Sequence, residues 1–99
     1  MFKIKADPEF WFTAELTRAG SSTAETVEIR AKACTRSEIK AWADVEVDDI
    51  VQRVVLDWKG FDAPFSVEEL RRVMDEHAGV GPQLYRQYLE ALAGAKRKN

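Results

Sequence analysis

Residues 10–17 and 27–33 alternate apolar and polar side chains with a period of two, and a small polar run, 19–25, separates them. Phe10, Phe12, Ala14 and Leu16 fall on one side of the first stretch, with Trp11, Thr13, Glu15 and Thr17 on the other. In the second, Val27, Ile29, Ala31 and Ala33 oppose Glu28, Arg30 and Lys32. Period two belongs to strands, and Ala-Gly-Ser-Ser-Thr-Ala-Glu suits a hairpin loop. An antiparallel pair of this kind has one apolar face that must be covered and one that faces water. The covering has to come from the rest of the chain. A shorter alternation precedes the pair: Phe2, Ile4 and Ala6 against Lys3 and Lys5, ended by Asp7-Pro8. It predicts a third short strand with one wet face.

After Cys34 the period changes to 3.6. Thr35-Arg36-Ser37-Glu38 is a capping box, in which each end can satisfy the other's amide, so a helix starts near Arg36 with Ile39, Trp42 and Ala43 as its apolar stripe. Residues 44–49 are acidic and form a connection, with Asp48 and Asp49 placed to complement the next helix dipole. Ile50, Val51, Val54, Val55 and Trp58 then read as a buried helical stripe ended by Gly60 as a left-handed cap. The β-branched pair Val54-Val55 makes a strand the competing reading, but Asp49, Arg53 and Asp57 keep the helical period, and the helix is favoured. Ser66 and Glu69 form a second capping box, with Val67, Leu70, Val73 and Met74 behind it. His77 lies near that helix's end, and Gly79 and Gly81 close it. Pro82 opens a last helix carrying Leu84, Tyr85, Tyr88, Leu89 and Leu92, closed by Gly94. Strands first and helices after is the α+β pattern: an N-terminal antiparallel β-hairpin, or three strands, then about four helices in a single domain, 1–99. Residues 1–34 form the sheet part, 35–94 the helical part, and 95–99 a basic tail.

The chemistry-bearing residues do not assemble into a recognisable active site. His77 is the one histidine and Cys34 the one cysteine, too few to ligate a transition metal or form an internal disulfide. A Cys34 nucleophile with His77 as base would need the fold to join them, and nothing in the spacing does so. Asp44, Glu46, Asp48 and Asp49 lack the oxygen spacing and turn glycine of a calcium loop. There is no nucleophile elbow and no phosphate-binding glycine loop. A net charge of -2 gives no general attraction to nucleic acid, and no apolar run is long enough for a bilayer. The first residues lack a secretory core, and a lone cysteine fits a reducing cytoplasm. These features predict a non-enzymatic protein without cofactors.

The aromatics carry more information. Trp42 and Trp58 lie on apolar stripes and read as core. Trp11 lies on the wet side of its strand, and Phe61 and Phe65 sit in the connector 56–66. Exposed aromatics mark contact surfaces, unless a helix, another strand or another subunit covers them. Trp11, Phe61, Phe65, Tyr85 and Tyr88 are the protein-binding candidates on this basis.

The order of features resembles a known family. Asp7, Pro8 and Phe10 open a hairpin; a helix with Glu38 and Trp42 follows the returning strand. Next come Trp58-Lys59-Gly60-Phe61-Asp62 and Pro64-Phe65-Ser66 with Glu68-Glu69-Leu70. Tyr88-Leu89-Glu90-Ala91-Leu92 then leads to Gly94-Ala95-Lys96 and Lys98-Asn99. This set is similar to the tail assembly chaperones of lambda-like long-tailed bacteriophages and prophages, departing from them at Asp57, where glycine is expected, and in the extended loop 19–25. The resemblance implies a role without catalysis in the host bacterial cytoplasm. There such proteins coat the tape measure protein, keep it soluble, help recruit major tail tube subunits, and are absent from the mature virion. It also implies a longer frameshifted product, of which this chain would be the short form; many weakly bound copies on one client lead further to an expectation of self-association along it, head-to-tail contacts generating open filaments. A small adaptor or regulatory domain, a minor virion component and a Cys34–His77 hydrolase are the competing readings.

Overall fold

A computed structural model describes residues 1–94 of the chain; the basic tail 95–99 lies outside the described residues. The elements run β1 (Glu9–Thr17), β2 (Ala24–Lys32), α1 (Arg36–Lys40), α2 (Val47–Val54), β3 (Val55–Lys59), α3 (Val67–Glu76) and α4 (Val80–Leu92). The three strands form one antiparallel sheet in the order β1-β2-β3. The architecture is therefore α+β, as the periodicities predict.

The hairpin follows its side-chain pattern. Glu9 faces Lys32 and Thr17 faces Ala24, without a slip between. This register puts Ala14, Leu16, Val27, Ile29 and Ala31 on one face, where all are buried. A shift by one residue would carry that whole set into water, which is why the register is well determined. The helices supply the cover. Leu70 and Met74 of α3, Val51 and Val54 of α2, and Val80, Leu84 and Tyr88 of α4 join the same core.

Two expected elements differ. Residues 2–6 form no strand; Phe2 is 95% and Ile4 101% exposed. The carbonyl of Pro8 instead accepts the Ala33 amide at 3.0 Å, so the chain enters β1 already in line with the hairpin ladder. The predicted helix 48–58 stops at Val54, and its second half is strand β3. The outward main-chain groups of β2 require a partner, and β3 provides it through Glu28–Lys59 and Arg30–Asp57 pairings. The helical appearance has a specific cause. The register shifts between Arg30 and Ala31, because Asp57 faces Arg30 while Val55 faces Ala31, leaving Leu56 as an extra residue. This bulge brings Val55 and Trp58, three apart, onto one face, which is a helical spacing made by a strand.

The caps are mixed in outcome. Thr35 and Glu38 form the reciprocal box, at 3.2 and 2.8 Å, although α1 is only 5 residues long. The Thr35 main-chain amide, foremost, holds the Glu38 carboxyl below its ordinary value. Ser66 accepts from the Glu69 amide at 3.0 Å, but the Glu69 carboxylate turns toward Arg72 rather than back to the cap. Gly60 does not end a helix. It leaves β3 at φ 95° with its Cα against the Thr26 carbonyl and Val27 Cα, where a Cβ would sit 3.3 Å from both. Gly81 lies inside the first turn of α4 rather than after α3, which ends with His77 as its cap.

Candidate functional site

The sheet has one covered face and one uncovered face. On the uncovered face Trp11, Thr13, Glu15, Glu28, Lys32 and Lys59 are exposed, while Arg30 and Asp57 are half-buried. Strand alternation dictates this set on β1 and β2, and on β3 the bulge at Leu56 brings Asp57 and Lys59 onto the same face. Trp11 lies among the charges. Arg30 is its direct partner across the hairpin, and Lys59 reaches over from β3 to place its Nζ 4.7 Å from the Trp11 ring centroid, a cation–π distance. Arg30 Nε also stands 3.2 Å from Glu9 Oε1, an ion pair whose N–H is not aimed for a hydrogen bond. The face thus offers one large aromatic, 41% exposed, ringed by charges of both signs.

The other aromatic candidates lie on the core side. Phe61 stacks on Trp58 with centroids 3.9 Å apart, and Phe65 meets the same indole edge-on at 5.3 Å. The Trp58 Nε1–H donates to the Ala63 carbonyl at 2.8 Å. The connector therefore folds back on the tryptophan that precedes it and satisfies the indole's one donor. Phe61 and Phe65 remain half-buried in this cluster, and Tyr85 is half-buried on α4. Tyr88 is 2% exposed, with Phe10 and Phe12 near its ring at 6.1 and 6.2 Å, and its hydroxyl donates to the Lys32 carbonyl at 2.7 Å. Tyr88 thus presents no surface in this fold. The five candidates are divided between two faces of the sheet.

Sequence reasoning passed over Gln83 and Gln87. Gln87 is buried, and its amide pairs with the main chain of Glu15: Oε1 accepts the N–H and Nε2 donates to the C=O, both at 2.8 Å. Gln83 does the same for Thr17, at 2.8 and 3.1 Å. Two side chains one helical turn apart thus close the Glu15 and Thr17 positions of the outer edge of β1 as a fourth strand would. The signal was present as two glutamines four apart beside the Leu84–Tyr88 stripe, but it acquires meaning only once the edge lies beside them.

Among the described residues no group of three or more His, Cys, Asp and Glu side chains could hold a metal ion. Cys34 and His77 share no hydrogen bond, and Cys34 instead adjoins the Tyr88 hydroxyl. A shallow polar groove between α2 and α3, lined by Asp48, Gln52, Arg71, Met74 and Asp75, is bridged by Arg71 Nε–H donating to Gln52 Oε1 at 2.7 Å. No described helix is long and apolar enough to cross a membrane.

Comparison with known proteins adds one finding. A family model described as phage tail assembly chaperone matches residues 1–99, the whole chain, and the chain belongs to that family. No curated protein and no solved structure matches it.

Proposed function

We propose that this tail assembly chaperone keeps the tape measure protein soluble by laying the uncovered face of its sheet on apolar stretches of that client, until tail tube subunits displace it. The observation that carries this reading is Trp11, a large aromatic 41% exposed on a sheet face that none of the described helices covers. Burying the remaining surface of such a side chain, roughly 100 Å², contributes about 2.5 kcal/mol, a modest gain per copy. Modest contacts suit a coat that a later partner must replace, and many copies on one long client gain avidity from weak individual binding. The surrounding charges, Arg30, Glu28 and Lys59, form a polar rim that would orient the encounter more than hold it. Phe61, Phe65 and Tyr85, half-buried on the other side, are secondary contacts; Tyr88 belongs to the core. The role needs no catalysis, and it is exercised in the host cell before the tail is complete.

Co-expression with the tape measure protein tests the reading. The wild-type chain should raise the soluble fraction of the client. Trp11→Ala should lower that fraction while lowering the chaperone's own melting temperature by only about a few degrees, since the side chain gives up the Lys59 contact at the sheet surface and lies outside the buried core. Full protection by Trp11→Ala would remove this face from the mechanism. Failure of the wild type to protect would remove the client itself. Mass spectrometry of purified particles should find tail tube subunits and none of this chain.

A further inference from the structure

We propose that the leading segment of one copy, residues 2–6, adds as a strand to the open part of the β1 edge of a second copy, joining chaperones head to tail. Three observations lead there.

The first is the donor. Phe2, Ile4 and Ala6 alternate with Lys3 and Lys5, a strand pattern, yet Phe2 and Ile4 stand almost wholly in water. The segment cannot fold back on its own β1 through a tight turn. Asp7 and Pro8 would hold the two central positions, and the favoured hairpin turns need positive φ at the first of them. A residue before proline is held extended, and no non-glycine residue here has positive φ.

The second is the acceptor. Glu15 and Thr17 show that the odd-numbered residues of β1 point their main-chain groups away from β2. Gln87 and Gln83 close those two. Two strand residues and four helical residues advance by similar lengths, roughly 6–7 Å, so α4 runs alongside the edge at the same pace. α4 ends at Leu92, short of the leading part of the strand. The outward N–H and C=O of Glu9 and Trp11 lie beyond it and have no partner among the described residues.

The third is the match between the two. Pairing antiparallel in the register that puts Lys3 and Lys5 on the uncovered face sets Lys5 beside Glu9 and Lys3 beside Trp11, an opposite charge and an aromatic ring. The same register places Phe2 and Ile4 beside Phe10 and Phe12, both half-buried at the end of the core. The other register would reverse both matches. Donor and acceptor are different surfaces of one chain, so the contact is heterologous and builds an open row rather than a closed dimer. Such a row would serve a coat along a long client, but it forms from the chain alone and is tested without any client.

Sedimentation velocity over a concentration series reads the association. The wild type should grow in size with concentration. Phe2→Glu with Ile4→Glu removes the donor and should remain monomeric throughout. Trp11→Pro removes one outward N–H while sparing the β1–β2 ladder, which uses the even-numbered residues, and should also remain monomeric. Trp11→Ala keeps that N–H and should still associate, which separates this edge from the client face. The decisive sample mixes the donor-less and edge-blocked proteins: one intact arm and one intact edge remain, so a single heterodimer and nothing larger is expected. A monomeric wild type, undiminished association of the donor-less protein, or no heterodimer in the mixture would overturn the proposal. Should circular dichroism show Trp11→Pro unfolded, amide exchange replaces it: the Trp11 amide must be protected in concentrated wild type and unprotected in the donor-less protein.

Discussion

Gln87 is bonded to Glu15 as one strand is to another, through a side-chain amide that gives and takes one hydrogen bond with the same residue's main chain. A glutamine amide has the donor–acceptor geometry of a peptide group, so a helix can end a sheet without a further strand. Gln87→Leu keeps the volume and removes both bonds. The Glu15 amide and carbonyl, partly screened from water, then lose their partners, and the loss should be about 1–3 kcal/mol in urea denaturation. Gln83→Leu, at the exposed end of the same edge, should cost less than about 1 kcal/mol because water can replace it.

Gly60→Ala should be costly for reasons of backbone rather than of contact. Its φ of 95° lies where L side chains rarely go, and the added Cβ would meet main-chain atoms of Thr26 and Val27, which cannot rotate aside. A loss of about 1–3 kcal/mol is expected, read as a fall in melting temperature. Gly20→Ala has the same kind of φ, 79°, but nothing within 4 Å, so it should cost only the conformational part. The difference between the two substitutions measures the closeness of β2 to the turn after β3.

Tyr88 predicts a limit on the alkaline side. Burial, first, and the neighbouring Cys34 push its phenol above the ordinary value of 10.0. Between that value and the raised one, the unfolded chain releases a proton that the folded chain retains. Stability is therefore fully present below about pH 10 and falls as pH rises past it. Tyr88→Phe should lose about 1–2 kcal/mol at neutral pH, through the bond to the Lys32 carbonyl, and should show a shallower decline above pH 10. Denaturant titrations at pH 7 and above 10 would compare the slopes.

The parts of the fold legible in the sequence are those where one local pattern has one outcome. The alternation in β1 and β2 specified faces, and Thr35 and Ser66 specified helix starts. Strand β3 was misread because its bulge at Leu56 gave Val55 and Trp58 a helical spacing, and because the partner that favours a strand, β2, lies some 25 residues earlier in sequence. Residues 2–6 were misread in the opposite way: the pattern was right for a strand, but the fold supplies no edge within reach. Among the site candidates, Trp11 was legible from phase alone. Tyr88 was not, because a tyrosine on a helical stripe looks alike whether its hydroxyl meets water or the Lys32 carbonyl. The edge-closing glutamines depend on a meeting of the two ends of the described fold that no local window contains.

That meeting has a consequence for biosynthesis. Glu15 and Gln87 are 72 residues apart, and Thr17 and Gln83 are 66 apart. At about 5–20 residues per second, a ribosome needs roughly 4–14 s after making the first strand to make the helix that seals it. During that interval the nascent hairpin carries an unsealed edge, and neighbouring chains on the same messenger carry one too. The order of synthesis therefore gives the first strand a period of exposure in which its own α4 has no advantage over any other extended segment nearby.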